Sequence, residues 1–260
     1  MFKTKFLLAL LAGLFIWGSS ITLAQEEPKD QLYWIREEVA KVDMWDQYEK
    51  TSKQWVEMMT EAGLDLPYMW TSQRDDAHYY YLFPLDNYAA IDKLQEIFGS
   101  AIEKIGKEKW GAFIKENEAS METHKDFIVT RSAKYSYWPK EPRLKPEDAK
   151  YIHWMFFHYK LENRKEVMEI MMEWKKLYEE KNIKNGYTIW LMELGEDNNM
   201  IALTESYKDG ADFHTAMEAD NALMEEEASA LWAKMAPYII SIENKYGNQR
   251  PDLGFMKSEE

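Results

Sequence analysis

Apolar residues recur along this chain with two periods, and the two periods alternate. Two-residue spacing marks strands at 33–39, 66–71, 78–85 and 127–137, and again at 151–159, 187–194, 200–207 and 239–246. Helical spacing fills the intervals. Tyr48, Trp55, Met58 and Met59 form the stripe of a helix that Asp43 can cap and Gly63 stops. Asp86 or Asn87 opens a second helical region with Ile91, Leu94, Phe98, Ile102 and Ile105. It restarts after Gly106 with Trp110, Phe113, Ile114 and Met121, and His124 continues that stripe. Asn163 can cap Val167, Ile170, Met171, Trp174 and Leu177, and Asp209 opens Phe213, Met217, Met224, Leu231 and Met235. The order is β-α-β-β-α-β, twice.

Three prolines between 139 and 146 make a stiff, extended connector and the one clear boundary. It divides a first unit, 31–138, from a second, 150–248, with 139–149 as linker and 249–260 expected as a frayed tail. The units align by position. Trp55 and Trp174 stand 119 positions apart, as do Tyr48 and Val167, Met58 and Leu177, and Tyr68 and Tyr187. Shared element order around these matches points to a duplication.

The strand 151–159 is apolar on both faces: Ile152, Trp154, Phe156 and His158 on one, Tyr151, His153, Met155, Phe157 and Tyr159 on the other. It therefore needs cover on both sides. His153 and His158 point oppositely and cannot share a metal. Its first-half counterpart puts Trp34, Arg36 and Glu38 on one face and Tyr33, Ile35, Glu37 and Val39 on the other. Charges in a central strand require partners or water, so these make either an internal ion pair or a polar patch lining a cavity.

Composition narrows the class. Aromatics are 15% of the 260 residues, enough for a substantial core. A formal net charge of −14 disfavours nucleic acid and anionic membranes as partners. Residues 1–24 have the form of a cleaved secretory leader: Lys3 and Lys5, an apolar run from Phe6 to Trp17, then small residues to Ala24. That predicts a periplasmic or secreted protein with no membrane attachment after cleavage. Cysteine is absent, so neither disulfides nor a lipid-bearing N-terminal cysteine is available.

The duplicated β-α-β-β-α-β order with aromatic strands resembles the dimeric α+β barrel superfamily, which includes antibiotic-biosynthesis-type monooxygenases and NIPSNAP-like proteins. The resemblance spans about 31–248. It implies an α+β fold in which two ferredoxin-like repeats cover each other as one barrel within a single chain, as a monomer or a homodimer. The superfamily holds haem degraders, cofactor-free oxygenases and proteins of no known activity, so it does not fix a function.

Comparing the first helices of the two units, Thr51 and Ser52 stand where the second unit has Ile170 and Met171. A small, polar gap there predicts a pocket between helix and sheet of the first unit, bordered by Thr51, Ser52, Trp55, Tyr79 and Tyr81. Arg36, His124 and His153 complete the candidate ligand-binding set. No motif requires a cofactor: His-Glu-x-x-His, Cys-x-x-Cys-His and Gly-x-Ser-x-Gly are all missing. Haem is compatible with the resemblance but has no motif behind it. The expected function is binding of a small apolar molecule, with a cofactor-independent oxygenase, a haem-handling enzyme, or a structural interaction module as alternatives.

Overall fold

Strands that are apolar on both faces must be covered on both, and the computed structural model shows how. It describes residues 28–257, so the leader read at 1–24 lies outside the described residues. The first half runs β1 (Gln31–Ala40), α1 (Trp45–Glu61), β2 (Tyr68–Arg74), β3 (His78–Leu85), α2 (Ala90–Ile105), α3 (Lys107–Ser120) and β4 (Met121–Tyr137). The second runs β5 (Tyr151–Tyr159), α4 (Arg164–Glu180), β6 (Tyr187–Leu194), β7 (Met200–Tyr207), α5 (Gly210–Met235) and β8 (Ile239–Gln249). A short β9 (Phe255–Met256) follows.

Every strand pairing is antiparallel. In space the first four strands lie in the order β2-β3-β1-β4 and the second four in the order β6-β7-β5-β8. β4 pairs with β6, and β8 returns to β2, so eight strands close into a barrel. The chain is thus α+β, an eight-stranded closed barrel with five α-helices outside it among the described residues.

Strand alternation sends every second side chain inward and the others toward the helices. Two large helix-side cores result, beside a small one of Phe213 and Ala216 on Tyr207. Tyr48 and Met59 of α1 and Leu94 of α2 pack on Tyr79, Tyr81 and Phe83 of β3. In the second half Val167, Ile170 and Met171 of α4 and Met224 of α5 pack on Phe157, Ile189 and Ile201. A further cluster fills part of the barrel itself, with Tyr33, Ile35, Tyr80, Leu82, Phe127, Val129, Met192 and Ala202.

Several boundaries differ from the sequence reading. α1 starts at Trp45, after a short 3-10 turn over Val42–Met44, so Asp43 precedes the helix rather than capping it. Asn163 precedes α4 without a side-chain cap bond, whereas the Asp209 side chain does accept the Asp212 N–H at the head of α5. β4 starts six residues earlier than its apolar run. Met121, Thr123 and His124 pair with Ala40, Val39 and Glu38 of β1, so His124 lies on an exposed strand end, not a helical stripe. Pairing with the polar end of β1 decides the conformation of a segment whose own pattern is indifferent.

The C-terminus is not frayed up to residue 257. Leu253 is fully buried in the first helix-side core, and its carbonyl accepts the Thr71 hydroxyl at 3.0 Å. Arg250 donates to Gln73 Oε1 at 2.6 Å and to Glu49 Oε2 at 3.0 Å, pinning the strap to β2 and α1.

Candidate functional site

The inward faces of the eight strands, with parts of the linker and of the C-terminal segment, line a half-open cavity of about 910 Å³. Its middle is apolar: Ile35, Leu82, Phe127, Trp154, Met192 and Ala202 line it. One end is charged and the other aromatic. At the aromatic floor Trp70 and Trp190 line the space, and Pro146 and Ala149 of the linker reach it too. Behind Trp70 the Arg131 guanidinium lies over three rings, at 5.9 Å from Tyr33, 5.7 Å from Trp70 and 5.4 Å from Trp138.

The charged end is built where four strands meet at one rim. Glu37 comes from β1, Arg74 from β2, His78 from β3 and Lys125 from β4, with Glu196 on the β6–β7 hairpin. Gly195 makes that last placement: a Cβ there would stand 2.8 Å from the Asp126 carbonyl oxygen, so only glycine lets the hairpin lie this close to β4. Glu37 is 4% exposed and is the hub. His78 Nδ1 lies 2.6 Å from its Oε1, Lys125 Nζ 3.1 Å from its Oε2, and Arg74 Nη1 3.9 Å from Oε1. Lys125 also bridges to Glu196. Arg74 donates to the Tyr80 hydroxyl at 2.8 Å and through Nε to Asp76 at 2.8 Å.

Burial alone would push the Glu37 carboxyl up. The hydrogen bond from His78 and the Lys125 ammonium outweigh it, and the carboxyl lies below its ordinary value. Burial likewise works against the Arg74 guanidinium, but its bonds to Asp76 and Tyr80 hold it more firmly charged than usual. The Tyr80 phenol is pushed up, first by burial and then by the Glu37 charge. Asp76, although partly buried, is brought down to about 2 by Arg74 and Lys245. The rim is therefore a set of fixed charges around one imidazole. A second imidazole, His158, stands across the mouth with Glu243 at 3.7 Å.

The sequence-derived candidates fall elsewhere. Thr51 and Ser52 are buried and bonded within their own layer. Thr51 Oγ1 donates to Asn117 Oδ1 at 2.8 Å with the Tyr48 carbonyl 2.9 Å away, and Ser52 Oγ donates to the Tyr48 carbonyl at 2.9 Å. The expected helix–sheet pocket is thus filled, because Asn117 of α3 and the Tyr48 and Tyr81 hydroxyls occupy the polar gap. Tyr79 is fully buried, accepts from Trp45 Nε1 and donates to Glu49, and Trp55 packs at 6.2 Å from Phe98. Arg36 faces the helices and pairs with Glu38 at 2.5 Å. His153 is 1% exposed on the helix side, between Glu205 at 3.0 Å and Asn244 at 2.8 Å. His153 and His158 do point oppositely, and only His158 reaches the cavity.

Glu37, the inward charge of β1, was visible as one of two readings of that strand. Arg74 and His78 were missed because each ends a strand, and Lys125 because it lies in the polar stretch before Phe127, places where polar residues usually meet water. The signal for them was their alternation with Ser72, Tyr80 and Phe127, which shares the inward face.

Haem would need a ligand facing free space. The one helical histidine, His214, is exposed at the start of α5, and the layers between helices and sheet are occupied by side chains. The helix–sheet layers therefore do not fit haem. Among the described residues no group of three or more His, Cys, Asp or Glu side chains is placed to hold a metal ion.

No family model matches the sequence, and no curated protein matches it. Solved structures do. A monooxygenase-like protein from Fusobacterium nucleatum matches with TM-score 0.54 at 13% identity, over 85% of this chain and 93% of that one. An anthrone oxidase-like protein matches with TM-score 0.54 at 7% identity, over 84% and 91%. A chlorite dismutase from Candidatus Nitrospira defluvii matches with TM-score 0.50 at 12% identity, over 87% and 95%. Identities this low establish the fold alone. The chain has the dimeric α+β barrel fold, with both halves of the barrel supplied by one polypeptide.

Proposed function

We propose that the protein binds a small, flat, mostly apolar molecule inside the barrel, with the polar end of that molecule at the Glu37–His78 rim. The observation that carries this reading is the cavity of about 910 Å³, apolar in its middle and charged at one end only. Such sites suit ligands with an apolar body and one polar group. The reading moves the site from the Thr51–Ser52 layer into the barrel. The two halves are read as diverged copies of one ferredoxin-like unit, on the strength of their matching strand orders. Export through the leader at 1–24 belongs to the same proposal, as does a monomeric or homodimeric state.

Trp70, Trp154 and Trp190 line the cavity, so a ligand entering it should change tryptophan emission. A panel of small aromatic compounds would be screened by emission and by thermal melting. A true ligand at a hundred times its Kd adds about 2.7 kcal/mol of stability. Ala202→Trp, which places an indole in the middle of the space, should abolish the response while the protein still melts cooperatively. A panel with no response, or a response unchanged by Ala202→Trp, overturns the reading.

A second reading is a cofactor-independent oxygenase. It is favoured by the monooxygenase-like and anthrone oxidase-like neighbours together with an imidazole at the rim of the cavity. Oxygen consumption with a ligand from the first screen would distinguish it from binding alone.

A further inference from the structure

The rim holds more than a polar end-group contact. We infer that Glu37 and His78 form a carboxylate–imidazole base that takes a proton from an acid bound in the barrel; this rests on the cavity being the ligand site. Glu37 is held ionised, so both its oxygens only accept hydrogen bonds. The 2.6 Å contact at Oε1 must then be donated by His78 Nδ1–H. That fixes the tautomer: in the neutral ring the lone pair lies on Nε2, and His78 lines the cavity. Lys125 on Oε2 and Arg74 beside Oε1 hold the carboxylate in place from the other strands. Glu37 is thus a positioning residue, and His78 is the group that would touch the ligand.

The step balances without any oxidant or reductant. An O–H or C–H bond of the ligand breaks and its electron pair stays on the ligand. The proton bonds to Nε2, and the imidazolium so formed is compensated by the Glu37 carboxylate. The ligand class is therefore a flat, mostly apolar acid, neutral on entry and ionised at the rim. Charged groups facing His78 are Glu37 on β1, Arg74 on β2, Asp76 in the β2–β3 turn, Lys125 on β4 and Glu196 on the hairpin. His158, whose Glu243 partner is 3.7 Å away and 56% exposed, lacks such a clamp.

The test uses the full chain with two probes of one shape: 4-nitrophenol, whose anion has its own visible band, and 4-nitroanisole, which has no acidic proton. Both should quench tryptophan emission. The bound nitrophenol should show a phenolate fraction roughly tenfold above that of the free probe at the same acidic pH, the effect of about one pKa unit. His78→Gln and Glu37→Gln should lose the phenolate excess, read per molecule of nitrophenol bound. If both probes bind and no excess appears, or the excess survives His78→Gln, the base is overturned while the cavity reading stands. If neither probe binds, the cavity reading fails for this class. The base is then decided by the nitrogen-15 spectrum of neutral His78, where a proton on Nε2 in place of Nδ1 overturns it.

Discussion

Thr51 sits on the stripe of α1 with no exposure, and a polar side chain there can mean either an opening or a bond. It means a bond. Its hydroxyl donates to the Asn117 amide oxygen of α3, so it ties two helices together. Thr51→Val keeps the shape and strips the hydroxyl. It should cost about 1–2 kcal/mol, because the Asn117 oxygen loses a buried partner. Urea unfolding would measure that loss, and ligand binding in the barrel should be unchanged. Loss of binding with little loss of stability would return the site to the helix–sheet layer. Glu37 poses the opposite case. Its charge is buried beside an empty space, yet three cations or donors from three strands surround it. An ordinary structural pair needs one partner, and the surplus around Glu37 suits a group whose charge has to be held while its neighbour gains a proton.

At the scale of elements, the periods of the sequence located all eight barrel strands and the helical regions, but not the residues where they end. Pattern was enough where a strand carries apolar side chains, as in 78–85 and 151–159. It was not enough for 121–126, where Glu, Thr, His, Lys and Asp follow Met121 and only the β1 ladder makes a strand. Nor was it enough for the C-terminal strap. Pro251, Asp252 and Gly254 read as part of a frayed tail, and what fixes the segment is distant in sequence: the Thr71 hydroxyl, the Glu49 carboxylate and the pocket that receives Leu253. Leu253→Ala should therefore cost about 2–5 kcal/mol, the range for a buried leucine. A loss near zero in denaturant titration would mean that the strap is detached in solution. The cavity suffered from the same limit. Alternation tells which residues share a face, but not that two sheets would enclose those faces without filling the space between them.

The whole molecule depends on two seams between halves that would each, alone, leave two strand edges open. β4 and β6 pair along a long, bulged ladder from Ile128 to Tyr137. The other seam is short: Ser72, Gln73 and Arg74 of β2 meet Gln249, Asn248 and Gly247 of β8. Gly247 lies where the two backbones press together. A Cβ there would run into the Gln73 carbonyl oxygen and come within 2.7 Å of the Arg74 Cα, both backbone atoms that cannot swing aside. Gly247→Ala should therefore part the seam and displace Arg74 from Glu37, lowering stability by more than about 2 kcal/mol and weakening binding in the barrel together. Gly99→Ala is the matched control. It lies within α2 with no atom near the added methyl, and should stabilise by about 0.5–1 kcal/mol. Both variants would be followed by denaturant unfolding and by the tryptophan response to ligand. Were Gly247→Ala to behave like Gly99→Ala, the barrel would be open along β2 in solution, and a rim assembled across four strands could not hold its geometry. A loss of stability and of binding in Gly247→Ala alone would instead make closure of this seam the condition on which the site exists.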